Sequence, residues 1–175
     1  MKIKPSLIIG LGNPGKEYEK TYHNVGILFI DYSINKMPPT SNFKFLISNT
    51  FMNQSGNFVK AALKKYKIKP EEVLIVHDDS DIELGKYKIS FGRGSAGHRG
   101  VESIIKLLGA KNFWRLRIGI RRRLTRTLRG LTQTKAIDLV LRKINKKDLE
   151  VLEKVFQTIK DEIRINPVRN QTKQF

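Results

Sequence analysis

The sequence predicts an α/β protein: a single domain in which a mixed β-sheet is surrounded by helices. Three observations lead there. Strand-like apolar runs alternate with stretches whose apolar residues recur at three- and four-residue spacing. One run, Val73-Leu74-Ile75-Val76, is apolar throughout, as expected of a central strand covered on both faces. Two others, Lys86-Tyr87-Lys88-Ile89-Ser90-Phe91 and Arg115-Leu116-Arg117-Ile118-Gly119-Ile120-Arg121, alternate basic and apolar residues, so each is expected to present a basic face. With 175 residues, one domain can bury roughly 70% of its unfolded surface.

Taken in order, Leu7-Ile8-Ile9 reads as a buried strand followed by a Gly/Pro loop. A helix is expected from about Asn24 to Asn35, where Val25, Leu28, Phe29 and Tyr32 share a face. Met37-Pro38-Pro39 breaks the chain before a short strand, Phe43-Lys44-Phe45-Leu46-Ile47. Ser55 is placed to cap a helix striped by Phe58, Val59, Ala62, Leu63 and Tyr66. His77 and Asp78 are expected where the central strand ends, with Asp79 and Asp81 as turn residues. A helix from about Val101 to Leu108 separates the two basic strands, and another is expected from about Lys135 to Lys143. The last helix carries Leu149, Leu152, Phe156, Ile159 and Ile163, a stripe too short for a coiled coil and read as a core face. The domain is expected to span 1–165, with 166–175 a polar, frayed tail.

Composition narrows the partner. There are 34 Lys and Arg against 16 Asp and Glu, giving a formal charge of +18 and a pI near 10.2, which favours a polyanion such as nucleic acid. The excess is clustered: between Lys111 and Arg129 stand eight basic residues and no acid. The absence of cysteine excludes disulfides, thiolate metal sites and a thiol nucleophile, and fits a reducing compartment. The three histidines, His23, His77 and His98, form no metal-binding spacing, so neither a metal nor another cofactor is expected. No apolar run is long enough to span a membrane, and the chain is expected to be cytoplasmic.

The chemistry-bearing residues stand in loops beside apolar strands: His23 and Asn24 after Gly10-Leu11-Gly12-Asn13-Pro14-Gly15, Asn53 after Thr50-Phe51-Met52, and Asp78 after His77. A neutral imidazole can take a proton from water, a carboxylate stabilises the imidazolium so formed, and an asparagine amide can donate to a developing oxyanion. That set suits attack by water on an acyl group. Gly10-x-Gly12-x-x-Gly15 also matches a dinucleotide-binding fingerprint, but Asn13-Pro14-Gly15 is a turn where that motif needs a helix to open, and no acidic ribose ligand follows.

Five motifs in order, G-L-G-N-P-G-x-E-Y-x-x-T-x-H-N-V-G, T-F-M-N-x-S-G, V-x-H-D-D-x-D-x-x-x-G, G-S-A-G-H-x-G and F-x-R-L-R-I-G-I, resemble bacterial peptidyl-tRNA hydrolase from about Leu7 to Ile120. The resemblance implies cleavage of the ester between a peptide and tRNA, recycling tRNA, by a monomer that engages the acceptor end and 3′ terminus. It implies His23 as the general base for water and Asp78 as the residue that holds and polarises it. Asn13 would sense the acylated amine; Tyr18, Phe51 and Asn53 would hold the terminal nucleotide and peptide backbone, with Asn53 as a carbonyl or oxyanion donor. Arg117 would clamp a tRNA phosphate, assisted by Lys88 and Arg93. His77 is expected to pack.

The chain departs from the family pattern at four places. Ala96-Gly97-His98-Arg99-Gly100 stands where the family reads G-G-H-N-G. Asparagine donates and accepts, whereas Arg99 only donates and carries charge. Beside the base it would weaken it; turned outward it would serve substrate binding, the role assigned to it here. Tyr22 replaces an arginine common before the catalytic histidine, the passage from Asp31 to Thr50 is short by a strand or hairpin, and the Arg-rich 121–129 segment matches no family feature. The alternative function is a catalytically impaired tRNA-binding relative.

Overall fold

A computed structural model describes residues 5–36, 43–122 and 139–165. Among the described residues, five strands form one sheet in the order β2-β1-β3-β5-β4. They are β1 (Leu7–Gly10), β2 (Lys44–Ile47), β3 (Val73–Glu83), β4 (Tyr87–Phe91) and β5 (Trp114–Arg121). The first four in that spatial order run parallel, and β4 closes the edge antiparallel to β5, so the sheet is mixed as expected. Helices α1 (Val25–Lys36) and α4 (Lys146–Ile165) cover one face, packing Phe29, Ile30, Leu152 and Phe156 against Ile8, Leu74, Val76 and Leu116. Helices α2 (Ser55–Tyr66) and α3 (Arg99–Leu108) cover the other, packing Val59, Leu63, Val101 and Ile104 against Leu7, Ile9, Val73 and Ile75. Cover on both faces is why β1 and the first half of β3 are apolar at every position.

This connectivity makes a site. From β1 the chain passes over one face to β2 on one side, then over the other face to β3 on the opposite side. Beyond the carboxyl ends of β1 and β3 the two crossovers diverge and leave a crevice. The close approach of α1 depends on Gly26, where a Cβ would sit 2.3 Å from the carbonyl oxygen of Val76 and 2.7 Å from that of Leu11.

Several expectations change. β3 does not end at Val76: pairing with β1 stops there, but β5 carries β3 on through Asp79, so His77, Asp78 and Asp79 are strand residues. Asp79 and Asp81, expected as turn residues, both lie within β3. β5 does not present a basic face throughout, because Arg115 lies on the side covered by α2 and α3 and is 2% exposed. Ser55 is the first residue of α2 and does not cap it from outside; its Oγ donates to the carbonyl of Met52 at 2.8 Å. α3 begins at Arg99, two residues early. The short 31–50 passage still supplies an edge, β2, starting at Lys44. Leu139 and Val140 are helical, whereas Leu141 to Lys143 are not; the rest of the expected 135–143 helix, the Arg-rich residues from Arg123 onward and the 166–175 tail lie outside the described residues.

Candidate active site

The centre of the crevice is one carboxylate oxygen shared by two imidazoles. Asp78 Oδ1 lies 2.8 Å from His23 Nδ1 and 3.0 Å from His98 Nε2, and Asp78 is 2% exposed. His23 comes from a single 3-10 turn, Tyr22–Asn24, that leads into α1. His98 stands at the start of α3, where its Nδ1 accepts from the backbone N–H of Gly100 at 3.1 Å and Val101 at 3.3 Å. These bonds assign the tautomers. An Nδ1 that accepts two N–H bonds carries no proton, so His98 is a neutral imidazole whose Nε2–H donates to Asp78. His23 likewise donates Nδ1–H to Asp78, leaving the lone pair on its Nε2. Burial alone would raise the Asp78 carboxyl, but the facing rings of His98 and His23 outweigh it and hold the group well below the usual carboxylate range.

His23, Asp78 and His98 also bring three potential metal-ligand atoms within 4.8 Å of one another, which sequence spacing had not suggested. The tautomers argue against a cation there. To ligate through Nε2, His98 would have to turn a proton on Nδ1 toward two N–H donors, breaking the α3 cap.

His77 packs, as expected, although inside the strand. It is 1% exposed, its Nδ1 donates to the Asp78 carbonyl at 2.6 Å, and its ring lies edge-on to His98 with centroids 4.5 Å apart. Its Nε2 is buried without a partner among the described residues, and burial, with the neighbouring His98, pushes the imidazole well below its ordinary value.

The wall opposite is braced by amides. Asn24 Oδ1 accepts from the Asn13 backbone N–H at 2.8 Å, and its Nδ2 donates to the Asn13 carbonyl at 2.9 Å. Asn13 Oδ1 accepts from the Met52 N–H at 2.8 Å, so the amide nitrogen of Asn13 is the group left for a ligand. Asn24 is thus a brace, while Asn13 lines the cleft. Asn53 lies in the 3-10 turn Met52–Gln54 that precedes α2 and is exposed. Phe51, 48% exposed, meets Tyr18 edge-to-face at 6.2 Å and 87°.

Asn13, Tyr18, His23, Phe51, Asn53, Asp78 and Arg99 therefore line one cleft of about 730 Å³, with His98, Asp81 and Leu141 as lining residues that the sequence had not marked. Lys88, Arg93 and Arg117 do not line it. Arg117 Nε donates to Asp79 Oδ2 at 2.7 Å, while Asp79 Oδ1 accepts from the Asp81 N–H at 2.9 Å. Lys88 stands directly opposite Arg117 across the β4–β5 ladder and is exposed, as is Arg93.

Tyr22 makes a packing contact. Its ring is buried beside α4, and its hydroxyl donates to Asp148, which Arg122 also bonds through Nε at 2.7 Å. Burial and then Asp148 push the phenol up to about 12. A main-chain bond from the Tyr22 N–H to the Arg142 carbonyl, 3.1 Å, and a bridge between Thr21 and Lys143 tie the His23 turn to the strip that ends in α4.

An α/β fold with an Asp-oriented imidazole at the carboxyl ends of parallel strands defines a hydrolase-type site. A family model described as peptidyl-tRNA hydrolase matches residues 7–174. The chain belongs to that family. It is 40% identical over 169 residues to the peptidyl-tRNA hydrolase of Mycoplasmopsis synoviae, covering 89% of this chain and 86% of that one. It is 35% identical over 185 residues to the enzyme of Clostridium perfringens, covering 96% and 93%. The crystal structure of peptidyl-tRNA hydrolase from Acinetobacter baumannii superposes with a TM-score of 0.78 at 29% identity, over 95% of this chain and 90% of that one. None of the helices among the described residues is long and apolar enough to cross a membrane.

Proposed function

We propose that this protein hydrolyses the ester joining a peptide to tRNA, with water as the nucleophile and His23 as its general base. The observation that carries the reading is the shared Asp78 oxygen: it fixes Nδ1–H of His23 and leaves Nε2, in the cleft, as the nitrogen able to take a proton. As water attacks, Asp78 stabilises the imidazolium, and His98 holds the carboxylate in place. The Asn53 amide donates to the developing oxyanion, and the Asn13 nitrogen meets the acylated amine of the substrate. Tyr18 and Phe51 give an aromatic surface for the terminal nucleotide and the peptide backbone. An ester already has a tolerable leaving group, so a base worth roughly 10²- to 10⁴-fold and one oxyanion donor suffice without a covalent intermediate.

Beyond the cleft, Arg117, with Lys88 and Arg93, would take phosphates of the acceptor end. Asp79 orients the Arg117 guanidinium through Nε and leaves its terminal nitrogens for a phosphate. Arg117→Ala should reduce the slope of log affinity against log salt by about 0.7 to 0.9, one phosphate contact; an unchanged slope would place the contact elsewhere. A net charge of +18 and the lack of cysteine fit a monomer acting on RNA in the cytoplasm. No bond joins Arg99 to the His23–Asp78 pair among the described residues, so the pair is intact despite the substitution. The test is ester release from an N-acetylated aminoacyl-tRNA by purified protein. Release is expected; RNA binding without release would leave only a tRNA-binding relative.

A further inference from the structure

Two charged side chains of the cleft, Arg99 and Asp81, have no part in the function proposed, and Arg99 is the cation of the two. Arg99 is the first residue of α3, is exposed, lines the cleft, and makes no hydrogen bond or ion pair among the described residues. The carboxylates near it are committed: Asp78 to two imidazoles, Asp79 to Arg117 and the Asp81 N–H. Asp81, exposed on the same lining, is not within ion-pair distance of Arg99.

Local rules argue against a cation at this position. The amino end of a helix carries partial positive charge, so an arginine in the first turn works against α3 and gains nothing from the fold in return. The N–H groups of Gly100 and Val101 are already bound by His98 Nδ1, and that of Glu102 by the His98 carbonyl at 2.9 Å, so recognition here falls to the Arg99 side chain. Residues that break a local rule concentrate at functional sites, and Arg99 lines one. Five donors in a planar fork suit a group offering two anionic oxygens, and a guanidinium cannot accept from an N–H.

We propose that Arg99 is a specificity-determining residue that reads an anionic oxygen pair beside the scissile ester. This rests on the peptidyl-tRNA reading and sharpens it. A substrate of that class offers such a group in two places: the phosphoryl group of the terminal nucleotide, and a carboxylate on the side chain of the esterified amino acid. Either would be held in the cleft by the same fork, and a neutral amide, without the charge, would hold either more weakly.

Two comparisons separate the sources, both read as ester release by the full chain and by its Arg99→Asn and Arg99→Lys variants. In the first, AMP and adenosine compete with an N-acetylated aminoacyl-tRNA; in the second, one tRNA carries either N-acetylaspartate or N-acetylasparagine. The unmodified protein should prefer the anionic member of at least one pair by about tenfold, the scale of one charged hydrogen-bonded contact. Arg99→Asn should bring that ratio close to one, and Arg99→Lys should keep part of it. Collapse of the AMP ratio assigns the phosphoryl group, and collapse of the aspartate ratio assigns the carboxylate. No preference in the unmodified protein, or a preference that Arg99→Asn leaves intact, overturns the proposal while ester release itself stands. Failure to release any acyl group would instead overturn the hydrolase reading.

Discussion

Replacing Asp78 by asparagine keeps the shape of the side chain and removes its charge. In the reaction a proton arrives on His23, whose Nδ1 is 2.8 Å from Asp78 Oδ1, so an imidazolium forms beside a carboxylate that is 2% exposed. With charge centres about 4 Å apart and an effective dielectric constant near 20, their attraction is about 4 kcal/mol. The amide oxygen of asparagine would keep a neutral hydrogen bond worth about 1 kcal/mol. The net loss is then about 3 kcal/mol, which is roughly 10²-fold in rate at 1.36 kcal/mol per decade. Asparagine with its amide oxygen at the Oδ1 position still accepts from both N–H groups, its NH₂ taking the place of Oδ2, so both imidazoles keep their tautomers and the change isolates the charge. Single-turnover ester release at saturating protein should fall by that factor, with affinity for tRNA unchanged. A loss below tenfold, or one accounted for by weaker binding, would refute the assignment of Asp78 as the group that stabilises the imidazolium.

Two further predictions concern the frame around the site. His77 is neutral in the fold because burial disfavours its charged form, whereas in the unfolded chain it takes up a proton near pH 6.5. Its contribution to stability is therefore complete above that pH and is lost as pH falls below it, at up to about 1.4 kcal/mol per pH unit. Denaturant unfolding of His77→Gln between pH 7 and 5 should show a slope shallower by one proton, and an identical slope would show that His77 accepts its proton without cost. Asp78, depressed in the fold, adds stability above the ordinary carboxylate range near 4 and loses it only at lower pH, so the two windows separate. Gly26→Ala places a Cβ against two backbone carbonyls that have no room to yield, at 2.3 and 2.7 Å. A cost of about 3 kcal/mol or more is expected, lowering Tm by roughly 6 to 12 °C; an unchanged Tm would mean that α1 can lift off the sheet freely.

Much of this was legible in the chain, for physical reasons that also explain the misses. A strand covered on both faces must be apolar at every position, so Val73 to Val76 announced the centre of the sheet, and the Gly/Pro loop after β1 announced side chains placed to meet a substrate. The continuation of β3 through His77, Asp78 and Asp79 was hidden because a polar run reads as a loop unless the pairing partner, β5, is known. Alternation along β5 fixed which residues share a face and not which face meets water; α2 and α3 cover the side that carries Arg115. The start of α3 was missed because an imidazole is not among the usual cap residues. The same turn hid the part His98 plays at Asp78, since residues 20 apart meet only through the fold. At Tyr22 the departure from the family pattern was visible, but its partner Asp148 lies 126 residues away.

The central claim, that the free nitrogen of His23 removes the proton from water, is tested most directly by chemical rescue. His23→Ala should bind N-acetylated aminoacyl-tRNA as tightly as the unmodified protein and release its ester slower by the roughly 10²- to 10⁴-fold that a general base supplies. Added imidazole should restore part of the rate in proportion to its unprotonated fraction. Ester release by His23→Ala at the full rate, without imidazole, would contradict the account.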